Sequence, residues 1–468
     1  MSAQPTFDAF WQRFLATEKR TRAFSLKISG VQLYPFLRTR LFYAVAQAVG
    51  LFDDPHPSFS KDADESAPLT NLDELPAKAE VVVVPFRRLV AGAEPYSDRI
   101  LELLRAAGED PLVLPYAGGQ AHPNNNLDRI RSNFTARFDA AAKGQMARTG
   151  RYLRWRKPEQ SRAKYARLIA AFEAEFGIEL PAFSKYPSWI LRRAIVDERG
   201  FADLFKRLGT KRLYLVNAYS DPGLVRAAKL AGVRVSEIQH GFVSAYHPAY
   251  EYPRGVRAQS APHELLTWGD YWNTAAQLPS GMTARTTGPT KPFAEYRARA
   301  LAERRIVPNR VLFTSQGAIG PELFKAALST ANHQPQLDVI FRLHPNESLA
   351  DFEALADKLT AGKGLPENLS LSHKQPVFLD LVSQSEYLIG GFSTTLFEGL
   401  ALGCKVLVLP VAGFENVRPA IASGDITLVT DLDELPRFLA SSKVASDAGR
   451  YYQQTSAETT GTAESKGI

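Results

Sequence analysis

Residues 386–410 read Glu-Tyr-Leu-Ile-Gly-Gly-Phe-Ser-Thr-Thr-Leu-Phe-Glu-Gly-Leu-Ala-Leu-Gly-Cys-Lys-Val-Leu-Val-Leu-Pro, and this stretch decides the fold. Residues 387–389 are a short apolar run typical of a buried strand, and the glycine pair at 390–391 interrupts it. Residues 396–402 continue with helical spacing, and residues 406–409 form the next apolar strand. This order predicts a strand, a glycine-rich turn, a helix and a strand, a unit that can bind an anion at the helix N-terminus.

An alternative interpretation assigns Thr395 and Glu398 to a capping box, in which the Glu side chain only closes the start of the helix. Such boxes are common, so this segment alone does not choose between the two interpretations. The choice between the two interpretations therefore depends on motifs elsewhere in the chain.

The length and composition predict a globular protein of two to four domains. The chain has 468 residues, of which 45% are apolar. A single cysteine, Cys404, excludes a disulfide framework and a cysteine-rich zinc site, and it fits a reducing compartment. The sequence has no run of about twenty apolar residues and no secretory signal at its start. We therefore expect a cytoplasmic protein, and the sequence indicates no metal or cofactor.

The positive charge is concentrated in one tract. The net charge is +7, but residues 129–167 contain twelve lysines and arginines against two acids, a local charge of +10. Such a tract predicts an acidic partner, namely anionic lipid or an acidic polymer, and its alternative is a solvated helical face. Nucleic acid is not expected, because no zinc-finger, basic-zipper or RNA-binding aromatic signature accompanies the charge.

Residues 1–78 predict a helical extension followed by a linker. Phe7, Phe10, Trp11 and Phe14 recur at helical spacing, and residues 33–52 are again apolar and aromatic. This pattern favours a helical hairpin packed on the first domain. The alternative is a helix that lies in a membrane interface with its basic groups toward anionic headgroups.

Residues 79–290 predict a first Rossmann-like domain. Apolar strands are expected at 81–85, 111–116, 212–217, 233–238 and 265–268, and helices at 97–107 and 222–231. Residues 126–208 read as helical and contain the basic tract. Because open α/β sheets bind ligands outside the carboxyl ends of their strands, loops 217–221 and 239–241 should face a crevice.

Residues 291–440 predict a second Rossmann-like domain. Its strands are expected at 311–314, 339–343, 387–389, 406–409 and 427–429, and its helices at 321–330, 396–402 and 432–439. The polar composition of residues 441–468 predicts a disordered tail. The expected fold is therefore α/β, with two Rossmann-like domains facing a cleft and a helical N-terminal extension.

Three strand-end loops of the second domain should converge. They are Ser315-Gln316-Gly317, His344-Pro345 and Ser393-Thr394-Thr395. Each loop supplies hydrogen-bond donors of the kind that bind a diphosphate or a phosphodiester without a metal. Pro345 fixes the turn so that His344 can point into the crevice.

Residues 397–406, Phe-Glu-Gly-Leu-Ala-Leu-Gly-Cys-Lys-Val, resemble the ribose-binding segment of GT-B glycosyltransferases. In that family a Glu near the start of the helix accepts both ribose hydroxyls of the nucleotide. The resemblance implies this role for Glu398. Lys405 stands where the family often has a proline.

Three further motifs together resemble bacterial surface-polysaccharide transferases, namely capsule Kdo transferases, polysialyltransferases and teichoic acid glycerophosphotransferases. The motifs are Gln239-His240-Gly241, Arg342-Leu343-His344-Pro345 and Ser393-Thr394-Thr395. The resemblance implies a CMP- or CDP-linked donor whose phosphate is held by His344 and the hydroxyl pair. It also implies a bacterial surface glycan or a lipid-linked acceptor, and hence a protein at the inner face of the membrane. The acidic catalytic motif of bacterial sialyltransferases is not evident in the sequence.

The catalytic base should come from the first domain, where His240 and Asp221 are the candidates. A histidine needs little change of pKa to act near neutral pH, so His240 is preferred. The alternatives are His240 as a turn residue bonded to backbone and Asp221 as a helix N-cap. A wall that binds the acceptor or the sugar is predicted from Gln239, Tyr246, His247, Tyr250 and Arg254.

Two other functions are compatible with the pattern. A UDP-sugar 2-epimerase shares the two-domain fold, a His-Pro-Asn segment and a hydroxyl-rich helix start. It needs no acceptor, and the long basic and aromatic insertions are unneeded for it. A non-catalytic protein that binds polyanions or membranes is the third hypothesis.

Overall fold

The computed structural model describes residues 6–28, 30–52, 75–86, 94–115, 127–149, 159–184, 186–345 and 347–453. The chain begins with helix α1 (Phe7–Thr21), the two-stranded hairpin β1 (Lys27–Ile28) and β2 (Val31–Gln32), and helix α2 (Tyr34–Ala48). The Thr6 side chain caps α1 by accepting a hydrogen bond from the Ala9 amide.

The first large sheet has six parallel strands. They are β3 (Val81–Val84), β4 (Leu112–Val113), β5 (Arg212–Val216), β6 (Arg234–Ile238), β7 (Glu264–Thr267) and β8 (Thr283–Thr286), in the order β4-β3-β5-β6-β7-β8. The helices of this part are α3 (Asp98–Ala106), α4 (Leu127–Thr149), α5 (Glu159–Phe176), α6 (Tyr186–Leu208), α7 (Pro222–Leu230) and α8 (Asp270–Asn273). The valines of β3 are all buried, as expected of a strand covered on both faces.

The second large sheet also has six parallel strands. They are β9 (Val307–Thr314), β10 (Asp338–Arg342), β11 (Leu369–Ser372), β12 (Ser385–Gly390), β13 (Lys405–Val408) and β14 (Ile426–Leu428), in the order β11-β10-β9-β12-β13-β14. Its helices are α9 (Lys291–Ala302), α10 (Gly320–His333), α11 (Leu349–Thr360), α12 (Phe378–Gln384), α13 (Thr394–Ala401), α14 (Arg418–Ala422) and α15 (Leu435–Ser441).

These two sheets confirm the predicted α/β class with two Rossmann-like units. In each sheet the strand order reverses once, between β3 and β5 in the first and between β9 and β12 in the second. Ligands of doubly wound sheets bind at such switch points, outside the carboxyl ends of the strands. Pairing places Thr314, Arg342 and Gly390 near the same level, so the loops that follow β9, β10 and β12 leave the sheet side by side. The domain boundary near residue 290 stays a prediction.

The N-terminal extension packs as a helical hairpin in an aromatic core. Phe7, Phe10, Trp11 and Phe14 are all buried, together with residues of α2, α5 and α6. Burial inside the protein contradicts the alternative in which these four rings face a membrane interface. Arg38 joins this hairpin to the first domain, because its guanidinium pairs with Glu18 and donates to the Pro248 carbonyl oxygen at 2.6 Å.

The predicted disorder from residue 441 onward is wrong for residues 441–453. This segment, the C-terminal strap, returns from the second domain to the first and buries Tyr451 and Tyr452 completely or nearly so. The Trp272 indole donates to the Tyr451 carbonyl oxygen at 2.8 Å, and the Gln453 amide donates to the Trp268 carbonyl oxygen at 2.8 Å. Apolar contact with two aromatic-rich surfaces outweighs the polar composition of the strap. The rest of the predicted tail, residues 454–468, lies outside the described residues.

The sequence missed several short elements. Strands β8 and β11 were not predicted because they are four residues long and lack a continuous apolar run.

Within the part of the chain that is described, no helix is both long and apolar enough to cross a bilayer.

Candidate functional site

The loops after β9 and β10 are joined by a carboxylate that the sequence analysis did not select. Ser315 follows β9, and its Oγ donates to Glu347 Oε1 at 2.8 Å. The backbone N–H of His344, two residues after β10, donates to Glu347 Oε2 at 2.6 Å. Ser315 is buried, His344 is half-buried, and Pro345 is exposed. Two of the three predicted loops are therefore brought together, with Glu347 between them.

The third loop meets the first at the switch point. Gln316 Oε1 accepts a hydrogen bond from the Phe392 amide at 3.2 Å, which links the loop after β9 to the loop after β12. Gly317 begins the 3-10 turn that follows Gln316. Gly391 favours this close approach, because a Cβ there would lie 2.5 Å from a methyl carbon of Ile319 and that side chain would have to move.

Helix α13 begins at the hydroxyl-rich segment. Ser393 is its N-cap, and the Ser393 Oγ accepts a hydrogen bond from the Thr395 amide at 3.3 Å. Thr394 is the first helical residue, and the Oγ1 of Thr395 is enclosed without a hydrogen-bond partner. The cap lies two residues before Thr395, so the alternative capping box of Thr395 with Glu398 is wrong.

Glu398 lies one turn into α13 and is half-buried. Burial raises the pKa of its carboxyl to about 7. The described residues donate no hydrogen bond to this carboxylate. The carboxylate is therefore a partly desolvated hydrogen-bond acceptor, as expected of a group that accepts ribose hydroxyls, the role that the resemblance implies.

Arg342 does not join these groups. Its Nη1 donates to Ser372 Oγ at 2.8 Å and to the Pro376 carbonyl oxygen at 2.9 Å. Ser372 belongs to β11, on the side of β10 opposite to β9. The structure thus corrects the assignment of Arg342 to the donor site, because its guanidinium holds the loop after β11.

His240 lies after β6 in an aromatic surrounding. Its ring centroid is 4.9 Å from that of Phe86, 6.2 Å from that of Tyr96 and 5.9 Å from that of Tyr219. Its Nε2 lies 3.4 Å from the Tyr219 hydroxyl, and its Nδ1 is enclosed without a hydrogen-bond partner. Burial lowers the pKa of His240 to about 4, so the ring is neutral at neutral pH. The alternative of a turn residue bonded to backbone fails, since neither ring nitrogen bonds a backbone atom among the described residues.

Aromatic residues surround both His240 and Glu398. Tyr96 contacts the His240 ring edge-on, with ring centroids 6.2 Å apart. Burial raises the pKa of Tyr452 well above its usual value, and the negative charge of Glu398 adds to this effect. Two residues beyond His240, Phe242 contacts Phe397, the neighbour of Glu398, with ring centroids 5.4 Å apart.

Asp221 is corrected from a base candidate to a structural ion pair. It is 3% exposed, and its Oδ1 lies 3.0 Å from the Nη2 of Arg131. Arg131 also pairs with Asp197 at 2.8 Å and with Asp128 at 3.4 Å. Asp221 occupies the N-cap position of α7, but its side chain makes no capping hydrogen bond.

Gln239 is likewise structural, because it is fully buried and both ends of its amide bond the backbone. Its Oε1 accepts from the Trp268 amide at 2.9 Å, and its Nε2 donates to the Gly241 carbonyl oxygen at 3.0 Å. It therefore joins β6 to β7 and is not available as a sugar ligand.

The predicted sugar-binding wall is not assembled. Tyr250 is buried and donates to Glu237 Oε1 at 3.0 Å, while Tyr246 donates to Asp8 at 3.0 Å and accepts from Arg418 at 2.7 Å. His247 packs near Tyr250, with ring centroids 5.0 Å apart, and its Nδ1 accepts from the Ala249 amide. Arg254 is exposed on a separate turn. These residues stabilise the loop after β6 rather than lining one surface.

Glu237 is a second carboxyl that the sequence analysis missed. It is 2% exposed, and its Oε1 accepts from the Ala218 amide and the Tyr250 hydroxyl, each at 3.0 Å. Burial raises the pKa of Glu237 to about 7. Its strand, Arg-Val-Ser-Glu-Ile, gave little signal, because Glu237 is one of three polar residues in it. Glu347 lies two residues after Pro345, so its closeness to the His-Pro motif was the available signal.

Among the described residues, no group of three or more His, Cys, Asp or Glu side chains is placed to hold a metal ion.

No protein-family model matches this chain, and no curated protein matches it. Several solved structures match its fold. UDP-GlcNAc 2-epimerase from Methanocaldococcus jannaschii is 11% identical with a TM-score of 0.46, and its match covers 83% of this chain and 99% of that one. The Neisseria meningitidis UDP-GlcNAc 2-epimerase is 13% identical with a TM-score of 0.46 and the same coverages. A glycosyltransferase from Rickettsia africae ESF-5 is 12% identical with a TM-score of 0.42, over 82% of this chain and 93% of that one.

Proposed function

We propose that this protein is a metal-independent glycosyltransferase of the GT-B type. It would move a sugar from a nucleotide-activated donor, CMP- or CDP-linked, to a bacterial surface glycan or a lipid-linked acceptor. The observation that supports the proposal is the contact between Phe242, two residues after His240, and Phe397, the neighbour of Glu398, with ring centroids 5.4 Å apart. We infer that Glu398, as the acceptor of the ribose hydroxyls, and His240 line one crevice between the two Rossmann-like units.

On the donor side, the loops after β9, β10 and β12 would hold the phosphate. Ser315, His344, Ser393 and Thr394 offer hydroxyl, imidazole and amide donors from adjacent loops. Hydrogen bonds to a charged acceptor are stronger than those between neutral groups, so a few such donors suffice for a phosphodiester. Glu398 would accept the two ribose hydroxyls.

On the other side, His240 would remove the proton from the acceptor hydroxyl. Its low pKa keeps the imidazole neutral, which is the protonation state that a general base requires. The aromatic rings of Phe86, Tyr96 and Tyr219 pack around it and reduce its contact with water.

An acidic acceptor or an anionic membrane surface would approach the basic helices of the first domain. The α5 side chains Arg162, Lys164 and Arg167 are all exposed and belong to the basic tract. Residues 150–158 of that tract lie outside the described residues. We place the protein in the cytoplasm, peripheral to the inner face of the membrane, for this reason of charge.

The experiment is an assay of nucleotide release by the purified protein, with CMP-, CDP- and UDP-linked sugars. Each donor is tested with and without a lipid-linked or polysaccharide acceptor. Release that depends on the acceptor supports the transferase. Interconversion of the sugar without an acceptor indicates an epimerase, and no reaction with any donor indicates a protein that only binds polyanions.

A further inference from the structure

Glu347 accepts hydrogen bonds from the same donors that the proposed phosphate site would use. Its Oε1 accepts a hydrogen bond from Ser315 Oγ at 2.8 Å, and its Oε2 accepts one from the His344 amide at 2.6 Å. The two donors come from the ends of β9 and β10, which are neighbours at the switch point of the second sheet. The carboxylate therefore spans two strand-end loops as a bridging anion would.

The packing around this carboxylate leaves little space for a second group. A Cβ placed on Gly320 would lie 2.5 Å from Glu347 Oε1 and 2.7 Å from Ser315 Oγ. The absence of a side chain at residue 320 thus allows the carboxylate and the hydroxyl to meet. A phosphate oxygen cannot accept from Ser315 Oγ and the His344 amide while both Glu347 oxygens do.

We propose that Glu347 is an internal competitor of the donor phosphate and sets the affinity of the site for anions. The carboxylate holds the two loops together when the crevice is empty and moves aside when a phosphate binds. This inference rests on the proposed function, because it names the residue that the donor phosphate must displace. Its consequence is weaker binding of donor and of product nucleotide, which favours product release.

Substitution by glutamine tests the competition. Glu347→Gln removes the negative charge, and its amide nitrogen cannot accept a hydrogen bond from either donor. In the wild-type protein the hydrogen bonds to the Glu347 carboxylate stabilise only the ligand-free state, because the bound phosphate replaces them. The variant weakens these bonds and should therefore bind CMP, CDP and inorganic pyrophosphate at least about tenfold more tightly than the wild-type protein. Isothermal titration at fixed pH and ionic strength measures the dissociation constants.

Glu353→Gln is the matched control, since Glu353 is exposed on α11 and its substitution changes the net charge equally. Its dissociation constants should equal those of the wild-type protein. Unchanged or weaker binding by Glu347→Gln would overturn the proposal, and it would make Glu347 a residue that only stabilises the loops.

A crystal structure of the wild-type protein with pyrophosphate is independent of whether the variant folds. The proposal expects the anion on Ser315 Oγ and the His344 amide, with the Glu347 carboxylate displaced from both. Pyrophosphate bound elsewhere, with both Glu347 contacts intact, would contradict it.

Failure of the proposed function gives a different result. In that case neither CMP nor CDP binds the wild-type protein or the variant at any concentration tested, and the competitor proposal fails with it. If the wild-type protein binds nucleotide and Glu347→Gln binds no better, only the competitor proposal fails.

Discussion

His240 and Glu398 are titratable side chains whose pKa values are shifted by burial in opposite directions. Burial disfavours the charged form of each, so it lowers the pKa of the histidine to about 4 and raises that of the glutamate to about 7. The histidine ring is therefore neutral at neutral pH, while the ionised and protonated forms of the glutamate are both populated there. Both properties depend on neighbours that are distant in sequence, such as Phe86 for His240.

Two histidine substitutions should separate donor binding from catalysis. We expect His344→Ala to raise the donor dissociation constant about tenfold through the loss of one contact to phosphate. His240→Ala should lower kcat by about 10²–10⁴-fold with donor affinity kept, because only the general base is removed. Steady-state kinetics and titration calorimetry give both quantities.

His333→Ala is the control for these substitutions, because His333 is exposed on α10. Its kinetic constants should match those of the wild-type protein. An equal loss of donor affinity in His240→Ala and His344→Ala would remove His240 from the role of base.

The raised pKa of Glu398 predicts a dependence of nucleotide binding on pH. Only the ionised carboxylate can accept from both ribose hydroxyls, and the folded protein reaches that form above about pH 7. Nucleotide affinity should therefore rise between pH 6 and pH 8, by up to about tenfold per pH unit below the pKa. Glu398→Gln should bind more weakly at pH 8 and should lack this rise.

Calorimetric titrations of both proteins with CMP at pH 6, 7 and 8 provide the measurement. The difference between them isolates Glu398, because the titration of the nucleotide's own phosphate is common to both. Parallel pH profiles for the two proteins would exclude Glu398 from contact with the nucleotide.

At the scale of elements, buried charges hold the helical insertion of the first domain in place. Arg131 on α4 is almost fully buried and contacts carboxylates from three segments, Asp128, Asp197 and Asp221. Asp197 lies on α6 and Asp221 precedes α7, so one guanidinium connects α4, α6 and the loop after β5. This contact network also fixes the loop that carries Tyr219 beside His240.

Removal of this guanidinium should destabilise the protein strongly. Arg131→Met leaves three carboxylates without their shared partner, and we expect it to lower the free energy of unfolding by about 3–5 kcal/mol. Urea denaturation at neutral pH measures the loss. The exposed Arg137 on the same helix provides the control, and Arg137→Met should stay within about 0.5 kcal/mol of the wild-type protein. Similar losses in the two variants would show that the buried pairs contribute nothing specific.

At the scale of the whole molecule, the C-terminal strap couples the two domains. Tyr451 is fully buried, and its ring lies 5.0 Å from that of Phe397 and 4.7 Å from that of Tyr271. Phe397 belongs to the second domain and Tyr271 to α8 of the first. Tyr452 is also buried, and its ring lies 5.5 Å from that of Trp268 and 4.6 Å from that of Phe293. The strap therefore packs on elements of both sheets.

Truncation of the Tyr451 side chain should lower the free energy of unfolding of the protein. Tyr451→Ala removes a buried ring between the domains, with an expected loss of about 3–5 kcal/mol in the free energy of unfolding. Tyr451→Phe keeps the ring and loses the hydroxyl, which donates to Asp425 at 2.6 Å and accepts from Arg450 at 2.8 Å, with an expected loss of about 1–2 kcal/mol. Urea denaturation compares the two losses, and a larger loss in Tyr451→Phe would contradict the proposed role of the ring.

Much of the fold was predictable from sequence because apolar runs and strand-end glycines are local signals. The strands predicted at 81–85, 212–217 and 387–389 overlap the parallel strands β3, β5 and β12, and the glycine-rich turn lies at the switch point of the second sheet. The short polar strands β8 and β11 could not be found in this way. Their hydrogen bonds come from neighbouring strands, whatever their own composition.

Sequence patterns alone predicted the α/β class, the two Rossmann-like units and the candidates His344, Ser393 and Glu398, since strand ends in one parallel sheet meet at one edge. The contacts of each polar side chain emerged only from the folded chain. The fold directs Arg342 to the loop after β11, encloses Asp221 and Gln239 in structural bonds, places Glu347 between the strand-end loops and packs Tyr452 against Trp268 and Phe293. The physical reason is that a hydrogen bond or ion pair depends on residues that folding brings together from distant positions, and no local pattern records which of them will be neighbours.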